Sequence, residues 1–475
     1  MTQLLAELEG RLSDGALVTD PDLTAAYRSD ESLMTDVGAP LAVVRARDVN
    51  DVAATIQLAA AARTPVVVRG AGTGLSGGAN ALDGCIILST ERMNRIVEID
   101  PARRLAVVEP GVLNGDLSTA VEVHGLFYPP DPASADISTI GGNVGTNAGG
   151  LCCIKYGVTG NYVLGLEVVL GTGEIIRTGR QTVKGVAGLD LVSLFVGSGG
   201  TLGVVTEITL RLLARPAHPA TMVASFDTLE AAGHAVSEMT ASHTRPSMLE
   251  ILDRNTLNAI NEWKSVGLDT SAAALIIAQS DEPSPRAELD VEHLSRISTD
   301  AGASYVAHST DRFEADELVT IRKLAYPALE RRGTALLDDI AVPVAAIASM
   351  LIEIERIGQE QGLFIATFGH AGDGNLHPTI VYEGGDPETV RRAHQAFRDI
   401  IHAALALGGT ITGEHGVGSL KRRFLRAERA TRIDDLESGI KAVFDPAGIL
   451  NPGKWIRPAP PSDQHPLRRH DRPNA

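Results

Sequence analysis

The sequence predicts an α+β protein with two or three domains, and three observations lead to this prediction. The chain has 475 residues, which exceeds the length that a single hydrophobic core usually supports. Its first half contains short β-branched runs separated by glycine-rich stretches, as is typical of strands with tight connections. From residue 228 onward, predicted helices alternate with predicted strands, and we expect those strands to form one antiparallel sheet.

The predicted elements are short in the first half of the chain. The alanine-rich residues 50–63 predict a helix, with Asn50 as its N-cap. The runs PVVVRG, CIILST, RIVEID and RLAVVEPG predict strands, and YVLGLEVVLGTGEII and LGVVTEITLRLL predict further strands after a glycine-dense stretch. In the second half, LEILD, ALIIAQS, ASYVAHS and FIATFGH predict strands that lie between helices.

The composition argues against several classes of function. With 44% hydrophobic and 21% charged residues and a net charge of -17, we expect a globular protein without a nucleic-acid partner, which would require clustered Lys and Arg. We expect no membrane span and no signal peptide, and therefore a cytoplasmic protein. Cys85, Cys152 and Cys153 are too few to predict a disulfide framework, and packing is the expected role of the adjacent pair.

The first glycine-rich segment is RGAGTGLSGG, residues 69–78, which holds five glycines. Gly72, Gly74 and Gly77 match the G-x-G-x-x-G pattern of Rossmann folds, but a strand returns at Cys85 and leaves no room for the helix that such folds require. Glycines let a backbone approach a ligand closely and direct several N–H groups at one anion. The segment therefore predicts a phosphate-binding loop, with a plain tight turn as the alternative.

A second glycine-rich segment, PPDPASADISTIGGNVGTNAGG, spans residues 129–150. We expect it to be a long loop whose small side chains suit a flat, extended ligand. Two such segments far apart in sequence predict one long ligand that contacts both, such as a dinucleotide with a central pyrophosphate.

The segment GHAGDGNLHPT, residues 369–379, predicts a hairpin that carries two histidines. FIATFGH and LHPTIVY are the expected strands, and Asp373-Gly374 is typical of a two-residue type I′ turn. With that turn His370 faces His377, at a separation that lets both imidazoles bind one metal ion. A stacked pair of surface histidines is the alternative that this segment alone leaves open.

Glu414 is a candidate for a third ligand. It lies in GEHG, residues 413–416, between a strand-like run and a predicted helix. One carboxylate with two histidines forms a three-ligand metal site with open positions for a substrate.

These motifs together resemble a known family. PVVVRGAGTGLSGGA, STIGGNVGTNAGG, GSGGTLGVVTEITLRL and NPGKW are similar to the FAD-binding fold of the vanillyl-alcohol oxidase superfamily, and in particular to its D-2-hydroxyacid dehydrogenases. The resemblance implies a PCMH-type FAD-binding domain of two subdomains at residues 1–215 and an α+β substrate domain at residues 216–415. It also implies a helical segment at residues 416–457 that returns to the FAD domain, and the composition of residues 458–475 predicts disorder.

The resemblance implies that FAD is bound without a covalent link, because residues 70–78 contain neither His nor Cys. Three groups of residues are implied to bind it: a pyrophosphate loop, a segment along the flavin, and residues that complete the pocket. They are Arg69, Gly70, Ala71, Gly72, Thr73, Gly74, Leu75 and Ser76; Pro130, Asp131, Ser138, Thr139, Gly142, Asn143, Gly145, Asn147 and Ala148; and Gly203, Val204, Val205 and Asn451. The chain departs from the family at residues 198–201, where Ser-Gly-Gly-Thr lacks the usual Glu.

The resemblance also implies roles for the polar residues of the second half. His370, His377 and Glu414 are implied to bind a divalent ion, Zn2+ or Mn2+, and His415 to act as the catalytic base. Arg322 is implied to bind the substrate carboxylate, and a cation on a helix surface is the alternative for that residue.

The expected activity is oxidation of a D-2-hydroxyacid, D-lactate-like or glycolate-like, to the 2-oxoacid. Leu337 and Thr379 stand where hydroxyglutarate enzymes have Lys and Asn, which favours a smaller or less charged substrate. The alternatives are a D-2-hydroxyglutarate dehydrogenase, a flavin subunit of a multi-subunit glycolate oxidase, and, from another class, a metal-dependent hydrolase. A quinone, a cytochrome or an electron-transfer flavoprotein is the expected electron acceptor, and a homodimer is one expected assembly.

Overall fold

The structure is a computed structural model and describes residues 2–456. The segment for which composition predicts disorder, residues 458–475, lies outside the described residues. Among the described residues, no helix is both long and apolar enough to span a membrane.

The first part of the chain forms eleven strands and seven helices. The strands are β1 Leu17–Val18, β2 Ala42–Arg45, β3 Val66–Arg69, β4 Ile86–Ser89, β5 Ile96–Asp100, β6 Leu105–Val108, β7 Leu126–Phe127, β8 Val163–Val169, β9 Ile175–Gly179, β10 Val204–Arg211 and β11 Leu213–Ala214. The helices are α1 Thr2–Arg11, α2 Pro21–Ala25, α3 Val49–Ala62, α4 Asn114–Glu122, α5 Ile140–Thr146, α6 Cys153–Tyr156 and α7 Val192–Phe195.

Two larger sheets organise these strands. A four-stranded sheet has the order β1-β2-β4-β3, in which β4 is parallel to both of its neighbours and buried at every position, as parallel strands usually are. A five-stranded antiparallel sheet has the order β5-β6-β10-β8-β9. As predicted, residues 70–85 between β3 and β4 contain no helix, so the Rossmann fold is absent.

The second part contains a large sheet. Its strands are β12 Ala220–Phe226, β13 Met248–Asp253, β14 Ala274–Ser280, β15 Tyr305–Ser309, β16 Thr334–Leu337, β17 Ile340–Ala341, β18 Phe364–His370 and β19 Asn375–Tyr382. The order is β15-β12-β14-β13-β18-β19-β16, with β17 also paired to β19, and every pairing is antiparallel. The prediction of one antiparallel sheet in this region is confirmed.

Helices cover both faces of the large sheet. They are α8 Leu229–Ala241, α9 Arg254–Lys264, α10 Arg286–Asp300, α11 Arg312–Lys323, α12 Ala325–Glu330, α13 Ile347–Gln361 and α14 Pro387–Ala406. One face packs against α8, α10, α13 and α14 around residues such as Phe226 and Phe397. The other packs against α9, α11 and α12 around Leu252 and Phe368, and this face also carries His370 and His377.

The C-terminal segment returns to the first part of the molecule. After α15 Leu425–Glu428 and α16 Thr431–Phe444, Leu450 forms a parallel bridge with Val66 at the edge of the four-stranded sheet. The backbone N–H of Asn451 donates to the carbonyl of Val66, which anchors the segment there.

Two details of local structure were predicted wrongly. The alanine-rich helix α3 begins at Val49, and its N-cap is Asp48, whose carboxylate accepts from the backbone N–H groups of Asn50 and Asp51, so Asn50 lies inside the helix. The glycine-dense stretch expected to be a loop contains the helix α5, which Thr139 caps by accepting from the N–H of Gly142.

Candidate functional site

A cavity with an empty volume of about 1440 Å³, including its open mouth, lies between the two parts of the molecule. Its walls come from the glycine-rich segment after β3, from α5 and its flanks, from the stretch before β10, and from Glu414 and His415. The lining residues that the sequence had singled out are Gly70, Ala71, Gly72, Thr73, Gly74, Leu75, Ser76, Ser138, Thr139, Gly142, Asn143, Gly145, Ala148, Gly203 and Val205.

Glycine keeps this cavity open. A Cβ atom built on Gly145 would meet no protein atom closer than 4.0 Å, and the same holds for Gly78, so side chains there would project into free space. The N–H groups of such a segment can approach an anion closely. The residues present therefore fit a bulky ligand with a pyrophosphate, as FAD is.

Six of the residues implied to bind FAD do not line the cavity, and two of them instead stabilise the segments around it. Asn147 ends α5 with a φ of 56°, and its Oδ1 accepts from the N–H of Gly160. The side chain of Asn451 accepts from the N–H of Val68 and donates to the carbonyl of Gly199. It therefore connects β3 to the stretch before β10, two segments that line the cavity. The full set of six is Arg69, Pro130, Asp131, Asn147, Val204 and Asn451.

The departure from the family pattern at residues 198–201 has a structural explanation. Gly199 has a φ of +56°, and a Cβ atom built on it would lie 2.5 Å from Cη2 of Trp455. The indole of Trp455 therefore leaves no room for a side chain at Gly199, which itself lines the cavity.

Sequence reasoning missed Asp30, which also lines the cavity. Its carboxylate accepts from the N–H groups of Ser32 and Ala79, and its own N–H donates to Oδ1 of Asn80. Asp30 therefore holds the end of the glycine-rich segment. It lies in an irregular stretch without a motif, so no local signal pointed to it.

The register of the hairpin differs from the prediction. His377 pairs with Phe368 and His370 pairs with Asn375, so the two histidines do not face each other directly. The loop has four residues, 371–374, rather than two, because the N–H groups of residues 373 and 374 both donate to the carbonyl of His370.

The predicted type I′ turn at Asp373-Gly374 is therefore wrong. Such a turn needs a positive φ at both central residues, and only Gly374, at +84°, has one. His370 and His377 nevertheless lie on the same face as diagonal neighbours, which are within reach of ring side chains. Their ring centroids are 5.2 Å apart.

Glu414 joins the two histidines. Its Oε1 lies 3.3 Å from Nε2 of His370 and 3.3 Å from Nε2 of His377. The candidate donor atoms of the three residues all lie within 4.8 Å of one another. Atoms that bind one tetrahedral ion at about 2.0–2.2 Å lie roughly 3.3–3.6 Å apart, so this donor set fits a divalent metal ion.

The buried carboxylate of Glu250 fixes the orientation of the His370 ring through Nδ1, the nitrogen that does not face Glu414. Oε1 of Glu250 lies 2.7 Å from Nδ1 of His370, and Oε2 accepts from Nε of Arg322 at 2.7 Å. Burial alone lowers the pKa of His370, but Glu250 and Glu414 outweigh it and raise that pKa well above its usual value. The bond to Glu250 leaves Nε2 directed at Glu414, as is usual for a ligand histidine.

At His377 the net shift of the pKa is downward, opposite to the net shift at His370. Burial, to which the nearby His415 adds, lowers the pKa of His377 to about 4, although Glu414 acts against this. The imidazole is therefore neutral near pH 7, which is the state that binds a metal ion. The rings of His377 and His415 stack with centroids 5.1 Å apart.

Asp339 fixes the backbone of the Glu414 turn. Its Oδ2 accepts from the N–H groups of Gly413, Glu414 and His415 at 2.9–3.0 Å. Burial raises the pKa of Asp339, but the charges of His415 and Lys421 outweigh it and hold that pKa below its usual value. The turn that directs Glu414 and His415 into the cavity thus rests on one buried carboxylate.

Four of the predicted site residues form one cluster, and the fifth, Arg322, lies beside it with a different partner. His370, His377, Glu414 and His415 form one cluster, and Glu414 and His415 also line the cavity. Arg322 is buried beside this cluster but bonds to Glu250, and its guanidinium lies over the ring of Phe368. It is therefore not the surface cation that the alternative interpretation expected.

Comparisons with known proteins agree with this architecture. Residues 40–179 match the family described as "FAD binding domain", and residues 215–455 match "FAD linked oxidases, C-terminal domain". "Glycolate oxidase subunit GlcD" of Bacillus subtilis (strain 168) is 43% identical over 443 residues, which cover 93% of this chain and 92% of that protein. A "D-lactate dehydrogenase" of Archaeoglobus fulgidus is 36% identical over 442 residues, which cover 91% and 96%.

Solved structures share the fold at low sequence identity. p-Cresol methylhydroxylase superimposes with a TM-score of 0.80 at 18% identity, covering 96% of this chain and 97% of that one. 4-Ethylphenol oxidase from Gulosibacter chungangensis gives a TM-score of 0.79 at 20% identity, with the same coverage of 96% and 97%. The predicted PCMH-type fold is confirmed. The chain belongs to the FAD-linked oxidases and is an FAD-dependent oxidoreductase.

Proposed function

We propose that this enzyme oxidises a small D-2-hydroxyacid, D-lactate-like or glycolate-like, to the 2-oxoacid. The names of the relatives, glycolate oxidase subunit and D-lactate dehydrogenase, support this substrate class. One observation carries the proposal: Glu414 lines the FAD cavity while its Oε1 lies 3.3 Å from Nε2 of both His370 and His377. A substrate held at this cluster would lie against the flavin wall.

The proposed roles follow the chemistry of each group. His370, His377 and Glu414 would hold a divalent ion, Zn2+ or Mn2+, which supplies Lewis acidity for a substrate hydroxyl. FAD, when bound, supplies the hydride acceptor. His415, which reaches the cavity, would take the hydroxyl proton as general base. These residues belong to the proposed substrate domain, residues 216–415, which would close on the FAD domain, residues 1–215, with residues 416–457 returning to it.

Arg322 is proposed to act in two ways. Its Nε bonds to Glu250, which steadies His370, while its terminal nitrogens make no hydrogen bond with the described residues. Those nitrogens are suited to a substrate carboxylate, which the planar guanidinium binds well.

Two neutral residues favour a small substrate. Leu337 and Thr379 are directly paired across β16 and β19, and Thr379 is on the same face as His377. A distal carboxylate, as in hydroxyglutarate, would find neither a cation nor an amide at this pair. The Leu337→Lys variant should therefore raise kcat/KM for D-2-hydroxyglutarate relative to D-lactate, and Leu337→Met should not.

Anaerobic flavin reduction tests the proposal. D-lactate or glycolate should bleach the absorbance of the FAD-loaded protein faster than D-2-hydroxyglutarate does, and the L enantiomer of lactate should not bleach it. A flavin that none of these acids reduces would contradict the proposed activity.

Variants of His415 and His377 distinguish the proposed proton acceptor from the proposed metal ligands. His415→Asn should retain FAD and metal but lose bleaching, because the proton acceptor is gone. His377→Asn should lose metal, measured as metal per chain by mass spectrometry, while it retains FAD. The exposed His218, changed to Ala, is the matched control and should affect neither.

A further inference from the structure

A second cavity lies where residues 422–426 meet the C-terminal segment, with an empty volume of about 820 Å³ including its open mouth. Arg422, Arg423 and Arg426 line it, and we call it the arginine pocket. Among its described lining residues, Asp434 is the one acidic side chain. Such a concentration of positive charge stands out in a chain with a net charge of -17.

The protein does not neutralise these arginines within the described residues. Asp434 bonds to Arg429 at 3.0 Å and is therefore already paired. Arg422 donates to a backbone carbonyl, and the guanidinium of Arg423 lies over a phenylalanine ring. The side chain of Arg426, on α15, makes no hydrogen bond or ion pair with any described residue. Three cationic groups thus face one cavity without a carboxylate of their own.

A further cation, Arg398, lies close enough to Arg423 to act on its pKa. Burial and the charge of Arg398 lower the pKa of Arg423, as expected for cations that lack an anionic partner. The three arginines are exposed, and within the described residues none of them pairs with a carboxylate, so all three are available to an added anion.

We propose that the arginine pocket binds a small multivalent oxyanion, either a phosphate compound or a polycarboxylate. Guanidinium groups bind both kinds of oxyanion through paired N–H donors, and a concave site excludes part of the competing water. The pocket is separate from the proposed substrate cluster, since none of His370, His377 and Glu414 lines it.

Trp455 connects the arginine pocket to the FAD cavity. Its side chain lines the pocket, and its indole lies against Gly199, which lines the FAD cavity. An anion bound beside Trp455 is therefore only one side chain away from the flavin wall, and its binding should perturb the flavin absorption spectrum.

Isothermal titration of the full-length, FAD-loaded protein tests the proposal. Inorganic pyrophosphate and tricarballylate, which lacks a hydroxyl group, are the probes, and potassium chloride keeps the ionic strength constant because exposed charges are screened by salt. At least one probe should bind saturably with one site per chain. The Arg423→Gln/Arg426→Gln variant should weaken that binding about tenfold or more, because two cationic donors of charge-assisted hydrogen bonds are lost.

The control variant is Arg391→Gln/Arg312→Gln, which removes two exposed arginines outside the pocket and should leave the affinity unchanged. Flavin absorbance and the thermal midpoint of each variant verify that it folds. Binding of pyrophosphate alone identifies phosphate compounds as the ligand class, and binding of tricarballylate alone identifies polycarboxylates. Absence of saturable binding by both probes, or equal affinity in the Arg423/Arg426 variant, overturns the proposal.

Discussion

The carboxylate of Glu250 links Arg322 and His370 through its two oxygen atoms. Its side chain is fully buried, and that of Arg322 is only 6% exposed. A buried charge that loses its partner cannot recover the lost interaction from water, so removal of one partner is far more costly than at the surface. Glu250 therefore serves both the stability of the protein and the geometry of His370.

The Glu250→Gln variant should lower the free energy of unfolding by about 3–5 kcal/mol, because Arg322 would remain buried without a counter-charge. It should also weaken metal binding about 10- to 100-fold, because a neutral amide with one oxygen cannot accept from both His370 and Arg322, and the orientation of His370 is loosened. Urea unfolding and metal titration measure the two effects. The matched control is Glu262→Gln, which breaks an exposed pair with Arg332 and should cost less than about 1 kcal/mol.

Sequence reasoning found residues that lie in motifs and missed residues that act from a distance. His370, His377 and Glu414 were predicted because their spacing and neighbours follow a recognisable pattern. Glu250 lies in the apolar run LEILD, and its only signal was a charge within a strand that reads as buried. Asp30 had no signal, because its partners near residue 80 are brought to it only by the fold.

Among the elements, the hairpin β18–β19 sets the positions of both histidines. Its loop depends on Gly374, which has a φ of +84° and whose added Cβ atom would meet the carbonyl oxygen of Val342. A side chain at this position would strain the backbone and displace the neighbouring strand.

Gly374→Ala should therefore lower the free energy of unfolding by at least about 2 kcal/mol, since left-handed backbone is costly for residues with a Cβ atom. Its metal content should fall as the two imidazoles shift. Gly385→Ala is the matched control, because no atom lies within 4 Å of its added Cβ. Equal metal content and equal unfolding midpoints for the two variants would contradict the role given to the hairpin loop.

The C-terminal segment supports the glycine-rich wall through Lys454. Its buried Nζ donates to the carbonyls of Gly77 and Asn80 at 2.7 and 2.8 Å. Burial lowers its pKa from 10.5 to about 8. The C-terminal segment therefore stabilises the glycine-rich wall through a buried amine whose charged form is disfavoured by burial.

The pH dependence of stability should reveal Lys454. Between about pH 8 and the usual pKa, the unfolded chain binds more protons than the folded one, so the contribution of Lys454 to stability rises with pH. The difference in urea midpoint between wild type and Lys454→Met should thus be larger at about pH 9.5 than at about pH 7.5. Lys454→Met should also bind FAD more weakly, whereas the exposed Lys264→Met should match wild type in both measurements.

The elements were predicted best where side-chain pattern decides them. The strands FIATFGH and LHPTIVY were correct because β-branched and aromatic runs bounded by glycine are distinctive. The helix α5 was missed because glycine disfavours helices, and only its Thr139 cap and the surrounding contacts stabilise it. The predicted register of the hairpin was wrong because an Asp-Gly pair occurs in loops of several lengths, and each length pairs different residues.

For the whole molecule, the FAD cavity joins segments from both ends of the chain. Its lining includes Asp30 near the start and His415 near the end, with glycine-rich segments between them. A ligand that contacts all of these walls stabilises only the assembled state. The general architecture could be predicted because several motifs span the chain, whereas the shape of the cavity depends on contacts between distant residues.

FAD should therefore raise the thermal midpoint of the whole protein in one cooperative step. Saturation at about 100 times the dissociation constant adds about 2.7 kcal/mol to the free energy of unfolding. Differential scanning calorimetry of the apoprotein with and without FAD measures this shift. FMN, which lacks the adenylate half, should give a smaller one, and two separate transitions of which only one moves would contradict coupling between the two parts.

The contact between Trp455 and Gly199 gives the protein an internal optical probe. The chain has two tryptophans, and Trp263 lies on α9 in the other part of the molecule. In a Trp263→Phe background, every photon of indole emission originates at the wall of the flavin cavity. Energy transfer to the isoalloxazine ring would then report cofactor occupancy continuously, in dilute samples and without substrate.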